Sequence, residues 1–150
     1  MAIFKNFGPG KQDWRVTEKS AANLPQTTQS ALFNVTGPIE CKIFGQVVTG
    51  IQAQANNTKL VANPTGGTDS DLCTVLDINA DAGSEFYYGN GTANAMGNTA
   101  SHGAIDEAST YVVQSGSIDL NCAASNTGTV RWWLLWRSLE EDGSSSVSAA

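Results

Sequence analysis

Across residues 129–139, Val130, Trp132, Leu134 and Trp136 fall on one side of an extended strand, and Arg131, Trp133, Leu135 and Arg137 on the other. The first side is wholly apolar, as a core face should be. The second is half apolar, which marks a strand set between two layers or one that meets another subunit. Shorter stretches repeat the period of two. Ala31, Phe33 and Val35 share a face up to the turn Thr36-Gly37-Pro38. Ile39, Cys41, Ile43, Gly45 and Val47 oppose Glu40, Lys42 and Gln46, and Ile51, Ala53 and Ala55 prolong the odd-numbered set to a turn at Asn56-Asn57.

Residues 58–62 are short and β-competent, and Asn63-Pro64-Thr65-Gly66-Gly67 closes them. Leu72, Thr74, Leu76 and Ile78 then alternate with Cys73, Val75 and Asp77. Residues 84–88 form an aromatic strand that stops at Gly89-Asn90-Gly91, whereas 92–107 are small, polar and patternless and predict a long surface loop. Strand character returns at 111–113 and at Ile118, Leu120 and Cys122, before the turn Ser125-Asn126-Thr127-Gly128. Eight or nine short strands punctuated by turns predict an all-β chain. Its centre is a single β-sandwich or barrel-like domain over 29–139.

The two ends lack this period. Residues 1–28 predict an extended N-terminal arm in which Ile3, Phe4, Phe7 and Trp14 are apolar without spacing. Such side chains suit a segment that lies on another surface. Residues 140–150 begin Glu-Glu-Asp-Gly, continue in Ser and Ala, and predict a flexible acidic, serine-rich tail.

Charge sharpens the division. In 1–28, Lys5, Lys11, Arg15 and Lys19 face only Asp13 and Glu18, a net of +2; the remainder sets four bases against twelve carboxylates, a net of −8. An acidic body is repelled by phosphate backbones, so nucleic acid is not expected as a partner. The basic arm suits an acidic protein surface. There is no apolar run of bilayer length and no signal-peptide pattern, which predicts a protein that starts in a cytosol and makes no membrane contact.

Candidate chemistry is sparse. Cys41, Cys73 and Cys122 are widely spaced within apolar patterns and read as buried thiols rather than metal ligands. Asp77-x-Asn79-x-Asp81-x-Gly83-x-Glu85 has the alternate oxygens of a calcium loop. The sixth and twelfth positions, however, hold Ala82 and Tyr88 where Gly and Glu are needed. Phe86, Tyr87 and Tyr88, or Trp132, Trp133 and Trp136, could form a platform for sugar rings, although cores and oligomer contacts use the same residues. His102 is the sole imidazole and has no identifiable orienting partner. Asp106-Glu107 and Glu140-Glu141-Asp142 read as solvated charge. No catalytic set, cofactor site or metal site is expected.

Several stretches carry a resemblance when taken in order. They are Ser30-Ala-Leu-Phe-Asn-Val-Thr-Gly37, Ile43-Phe-Gly-Gln-Val-Val-Thr49, Ile51-Gln-Ala-Gln-Ala55 and Lys59-Leu-Val-Ala-Asn-Pro64. They continue with Asp71-Leu-Cys-Thr-Val-Leu-Asp-Ile-Asn79, Gly116-Ser-Ile-Asp-Leu-Asn-Cys122 and Thr127-Gly-Thr-Val-Arg-Trp132. Over about 20–139 the chain resembles the small β-rich capsid decoration (cement) proteins of tailed bacteriophages. The resemblance implies a non-enzymatic structural virion protein on the capsid exterior. Such a protein would bind the major capsid protein, bridge capsid subunits and associate as a homotrimer. On that reading the arm residues Ile3, Phe4, Lys5, Phe7, Lys11, Trp14 and Arg15 would touch the capsid. Arg131, Trp133, Leu135 and Arg137 would form the subunit interface. The alternative is a phage tail, neck or fibre β-module that binds host surface carbohydrate.

Overall fold

The structure, a computed structural model, describes residues 13–26, 28–100 and 103–150. The described residues form strands and no helix: β1 (Arg15–Asn23), β2 (Gln29–Thr36), β3 (Ile39–Thr49), β4 (Asn57–Pro64), β5 (Ser70–Asp71), β6 (Cys73–Thr74), β7 (Leu76–Asp77), β8 (Phe86–Tyr88), β9 (Gly91–Ala95), β10 (Gly97–Asn98), β11 (Tyr111–Val113), β12 (Gly116–Cys122), β13 (Thr129–Ser138) and β14 (Ser146–Ala149). The all-β expectation holds.

Two antiparallel sheets face each other. The first runs β1-β13-β3-β8-β10, with β11 also on β3; the second runs β14-β2-β12-β4-β5, with β7 also on β4. Alternation explains the layering. Val130, Trp132, Leu134 and Trp136 of β13 and Ile39, Cys41, Ile43 and Val47 of β3 are all at most 4% exposed. They meet Phe33, Leu60, Ile118 and Leu120 of the second sheet in one core. Gly45 permits this packing, because a Cβ there would lie 2.7 Å from the Trp132 ring.

Both margins of the sandwich are stitched. On one, β1 and β14 are neighbours, and the Lys19 ammonium donates to the Ala150 carbonyl. On the other, β6 and β9 form a short parallel ribbon. There Tyr111 Oη donates to the Leu72 carbonyl (2.6 Å), and Leu72 N donates to Leu60 O (2.9 Å). The body is thus a sandwich with barrel-like closure.

Five local expectations need correction. Within the expected arm 1–28, residues 15–23 are a full strand, with Arg15 opposite Trp136 and Lys19 opposite Trp132. This edge strand shows no apolar period because its inward residues are Arg15, Thr17 and Lys19. Thr17 Oγ1 accepts from Trp136 Nε1 at 3.0 Å. Within the expected tail, residues 146–149 pair with β2, so only the turn before them is irregular. Ser145 anchors that turn, donating to Pro38 O at 2.8 Å while its hydroxyl fills the space a side chain at Gly37 (φ +75°) would take.

The expected loop 92–107 contains β9 and β10, and Met96 within it is 1% exposed. A bulge between Ile118 and Asp119 in the β12–β2 register turns both Leu32 and Phe33 inward and sets Ala31 opposite Asp119 on the outer face. Ala31 therefore does not share a face with Phe33.

Residues 53–55 also leave the sheet, because two buried asparagines hold the chain there. Asn56 Oδ1 accepts from Ala123 N (2.9 Å) and Ala124 N (3.1 Å), and Asn126 Nδ2 donates to Gln54 O (2.7 Å) and Gln52 O (3.2 Å). Pairing these buried polar groups fixes the loops at one end of the sandwich.

Leu134 and Leu135 are neighbours on opposite faces, one fully buried and one half-buried. Leu134→Ala should cost about 2–5 kcal/mol by loss of buried surface and a residual cavity. Leu135→Ala should cost a fraction of that. Urea denaturation of both variants checks the difference, and equal losses would contradict the assignment of faces.

Candidate interaction face

The outer face of the first sheet is built from the second side of β13. Strand pairing places Val16 beside Leu135, and Phe44 beside Trp133. Phe86 stands opposite Gln46 on the next strand over. With Ile105 from the segment between β10 and β11, these side chains line an open, entirely apolar depression of about 380 Å³. Val16 is 63% exposed, and Phe44, Phe86, Ile105, Trp133 and Leu135 are half-buried.

The rim is charged and largely matched. Glu18 accepts from Trp133 Nε1 at 3.2 Å and lies 3.6 Å from Arg131 Nε, which is buried and makes no hydrogen bond. Arg131 lies over the Trp133 ring at 5.9 Å. Arg137 pairs with Glu40 and stands 5.0 Å from the Trp14 ring centre. Ion pairs this exposed contribute only about 0–1 kcal/mol each. They keep the arginine heads occupied while the apolar centre stays open.

The sequence-predicted interface residues Arg131, Trp133, Leu135 and Arg137 therefore share one face. Of the predicted arm residues, Trp14 (41% exposed) extends that face, and Arg15 lies on the other side of β1, 5.1 Å from the Trp136 ring centre. Ile3, Phe4, Lys5, Phe7 and Lys11 lie outside the described residues. Sequence reasoning missed Val16, Phe44, Phe86 and Ile105 as parts of the depression. Phe44 carried a usable signal, as an aromatic residue among Glu40, Lys42 and Gln46 on the polar side of β3.

The other candidates separate. In the would-be calcium loop, Asp77 Oδ1 accepts from Asn56 N (2.7 Å) and Asn79 N (3.2 Å). Asp81 Oδ2 instead accepts from Tyr87 Oη (2.6 Å) and Asn98 Nδ2 (3.0 Å). The two carboxylates thus serve different networks. Among the described residues no group of three or more His, Cys, Asp and Glu is arranged for a metal ion.

The aromatic platform is divided: Tyr87, Trp132 and Trp136 point into the core, with Tyr87 and Trp132 stacked at 6.2 Å, while Phe86, Tyr88 and Trp133 point out. The three cysteines are free and buried. Burial, helped by the adjacent Glu40, pushes the Cys41 thiol up to about 12. Asp106 and Glu107 are exposed beside Ile105, and His102 lies outside the described residues. Among the described residues no helix is long and apolar enough to cross a membrane. No protein-family model, no curated protein and no solved structure matches the chain.

Burial raises the Asp81 carboxyl above its ordinary 3.8. The Tyr87 hydrogen bond opposes the rise, and Glu85 and Asp77 reinforce it. Because the folded value is the higher one, the native state binds more protons between 3.8 and that value. Stability contributed by neutral Asp81 is then present at low pH and lost as pH rises through the window. Asp81→Asn should remove this component. The stability of the native protein relative to the variant should fall as pH climbs above 3.8 and then level off. Denaturation curves across the acid range check this, and a constant difference would contradict it.

Proposed function

We propose that this chain is a structural virion protein of the capsid-decoration kind, which binds the outer surface of a phage capsid and stabilises it by bridging capsid subunits. One observation carries the reading: a closed, hydrogen-bonded sandwich presents an apolar depression around Trp133 and Leu135. Exposed apolar patches with polar rims are characteristic of protein contact sites. The ordered stretches that resemble cement proteins, from Ser30 to Trp132, support the same class. The role is non-enzymatic and needs no cofactor.

On the capsid, three copies associate through the side that bears Arg131, Trp133, Leu135 and Arg137, and contact the major capsid protein. The arm is shorter than the sequence suggests. Residues 15–23 belong to the body, which leaves Ile3, Phe4, Lys5, Phe7 and Lys11 ahead of it and Trp14 at its root. Three arms from one trimer combine modest contacts into firm attachment through effective concentration.

The test uses capsids of the phage whose genome encodes the chain. The intact protein should co-sediment with them, appear in cryo-EM maps as three copies around local three-fold positions, and raise the temperature at which the shells rupture. Trp133→Ser/Leu135→Ser should stay folded, because its inner face is untouched, and should lose at least tenfold in capsid binding. Sedimentation with tails and not with capsids would overturn the decoration role. Equal capsid binding by the double variant would overturn the assigned face.

A further inference from the structure

We infer that two copies of this chain join edge to edge through β1. The two β1 strands run antiparallel about a two-fold axis at Val16 and unite the first sheets of both copies into one continuous sheet. The pairing needs no capsid and is independent of the function proposed above.

β1 ends its sheet and pairs only with β13, so among the described residues no strand meets its other side. With nine residues it is the longest strand at any margin of the two large sheets. The others there, β5, β7, β10, β11 and β14, have four residues or fewer. A long edge presents a row of backbone N–H and C=O groups that template a further strand, and brevity is one way in which such edges are blunted. A bulge is another, and the register of β1 shifts between Lys19 and Ala22. What remains is a regular template over 15–19, Arg15-Val16-Thr17-Glu18-Lys19.

The side chains of this template select one partner and one register. Homodimers most often close about a two-fold axis, and two copies of one strand then pair antiparallel about a single residue. Residues directly opposite share a face, and like charges so placed are destabilising. An axis at Arg15, Glu18 or Lys19 sets that residue against its own charge, and an axis at Thr17 sets Arg15 against Lys19. Only an axis at Val16 avoids every such clash. It places Val16 against Val16 and Arg15 against Thr17, and continues with Trp14 against Glu18 and the opposite charges Asp13 and Lys19. The strand is therefore complementary to itself in this register.

Exposure agrees with that axis. Val16 is 63% exposed and Trp14 41%, and both lie on the outward side of the edge. Pairing covers Val16 with its counterpart and brings the depressions of the two copies onto one side of a shared sheet. The contact uses backbone groups at the margin, so Trp133 and Leu135 keep facing outward.

Introduced cysteines in the full-length protein test the register, since the three native thiols are buried. At the axis the two Val16 Cα atoms would stand about 4.5–5.5 Å apart, a separation that a disulfide spans. The two Glu18 residues would be offset by four positions, about 13 Å. With oxidised glutathione as the oxidant, Val16→Cys should form linked dimers at least tenfold faster than Glu18→Cys. In sedimentation equilibrium the native protein should self-associate. Val16→Asp, which sets two carboxylates together at the axis, should raise the dissociation constant at least tenfold. A native protein that stays monomeric at its highest soluble concentration overturns the proposal. Self-association with equal linking at both positions also overturns it, in favour of a contact that does not involve this edge.

Discussion

The structure depends on the strict alternation of β13. That strand is hydrogen-bonded on both sides, to β1 and to β3, so its backbone is satisfied and its direction fixed. A one-residue slip would carry Trp132, Leu134 and Trp136 out of the core and Arg131, Trp133 and Arg137 into it. Trp133 and Leu135 would enter with the arginines, but burying two unpaired guanidinium groups would cost an amount comparable to the marginal stability of a domain this size. Register is therefore strongly specified here, and Gly45 adds a steric constraint, because a Cβ there would lie 2.7 Å from the Trp132 ring.

Polar burial does the rest of the shaping. Asn56 and Asn126 are fully buried yet hydrogen-bonded to loop backbone, and they hold residues 50–57 against 123–128. On the second sheet's outer face Asp119 is 3% exposed and accepts from Gln29 Nε2 (2.7 Å), Asn63 Nδ2 (3.1 Å) and Ser117 Oγ (2.6 Å). Each network ties together segments distant in sequence, and leaving any such group unpaired would cost about 1–3 kcal/mol. Together they supply long-range hydrogen bonds to turns rich in Asn, Ser and Gly that are weak in local preference.

What could be read from sequence follows the same division. Strands that bury one apolar face, β3, β12 and β13, are visible as a period of two because solvent and core impose it. Edge strands β1 and β14 are not, because backbone pairing and single polar contacts such as Thr17 to Trp136 hold them. The break after Thr49 was hidden for a related reason: Ile51, Ala53 and Ala55 continue the pattern, and hydrogen bonds that tie the buried Asn56 and Asn126 to distant backbone interrupt it. A third of the depression's lining was legible in Trp133 and Leu135, whose apolar character on the wrong side of a core strand needed an explanation. Val16, Phe86 and Ile105 could not be assigned to it, since strand order, not spacing, brings them together.

The two outer faces of the molecule form an internal comparison. Both are surfaces of antiparallel sheets of similar extent, backed by the same core. The outer face of the second sheet carries Gln29, Lys59, Asn63, Ser117, Asp119 and Asn121, joined by side-chain hydrogen bonds and by the Lys59–Asp71 ion pair at 2.7 Å. That is how a β-sandwich meets water. The outer face of the first sheet sets Val16, Phe44, Phe86, Trp133 and Leu135 in the equivalent setting, where hydration is unfavourable and the inner residues already supply the core. Folding gives no reason for that contrast, since polar residues at those positions would preserve the same inward alternation. A contact with another surface does give a reason, and an uncovered apolar face of this kind would otherwise be an aggregation hazard.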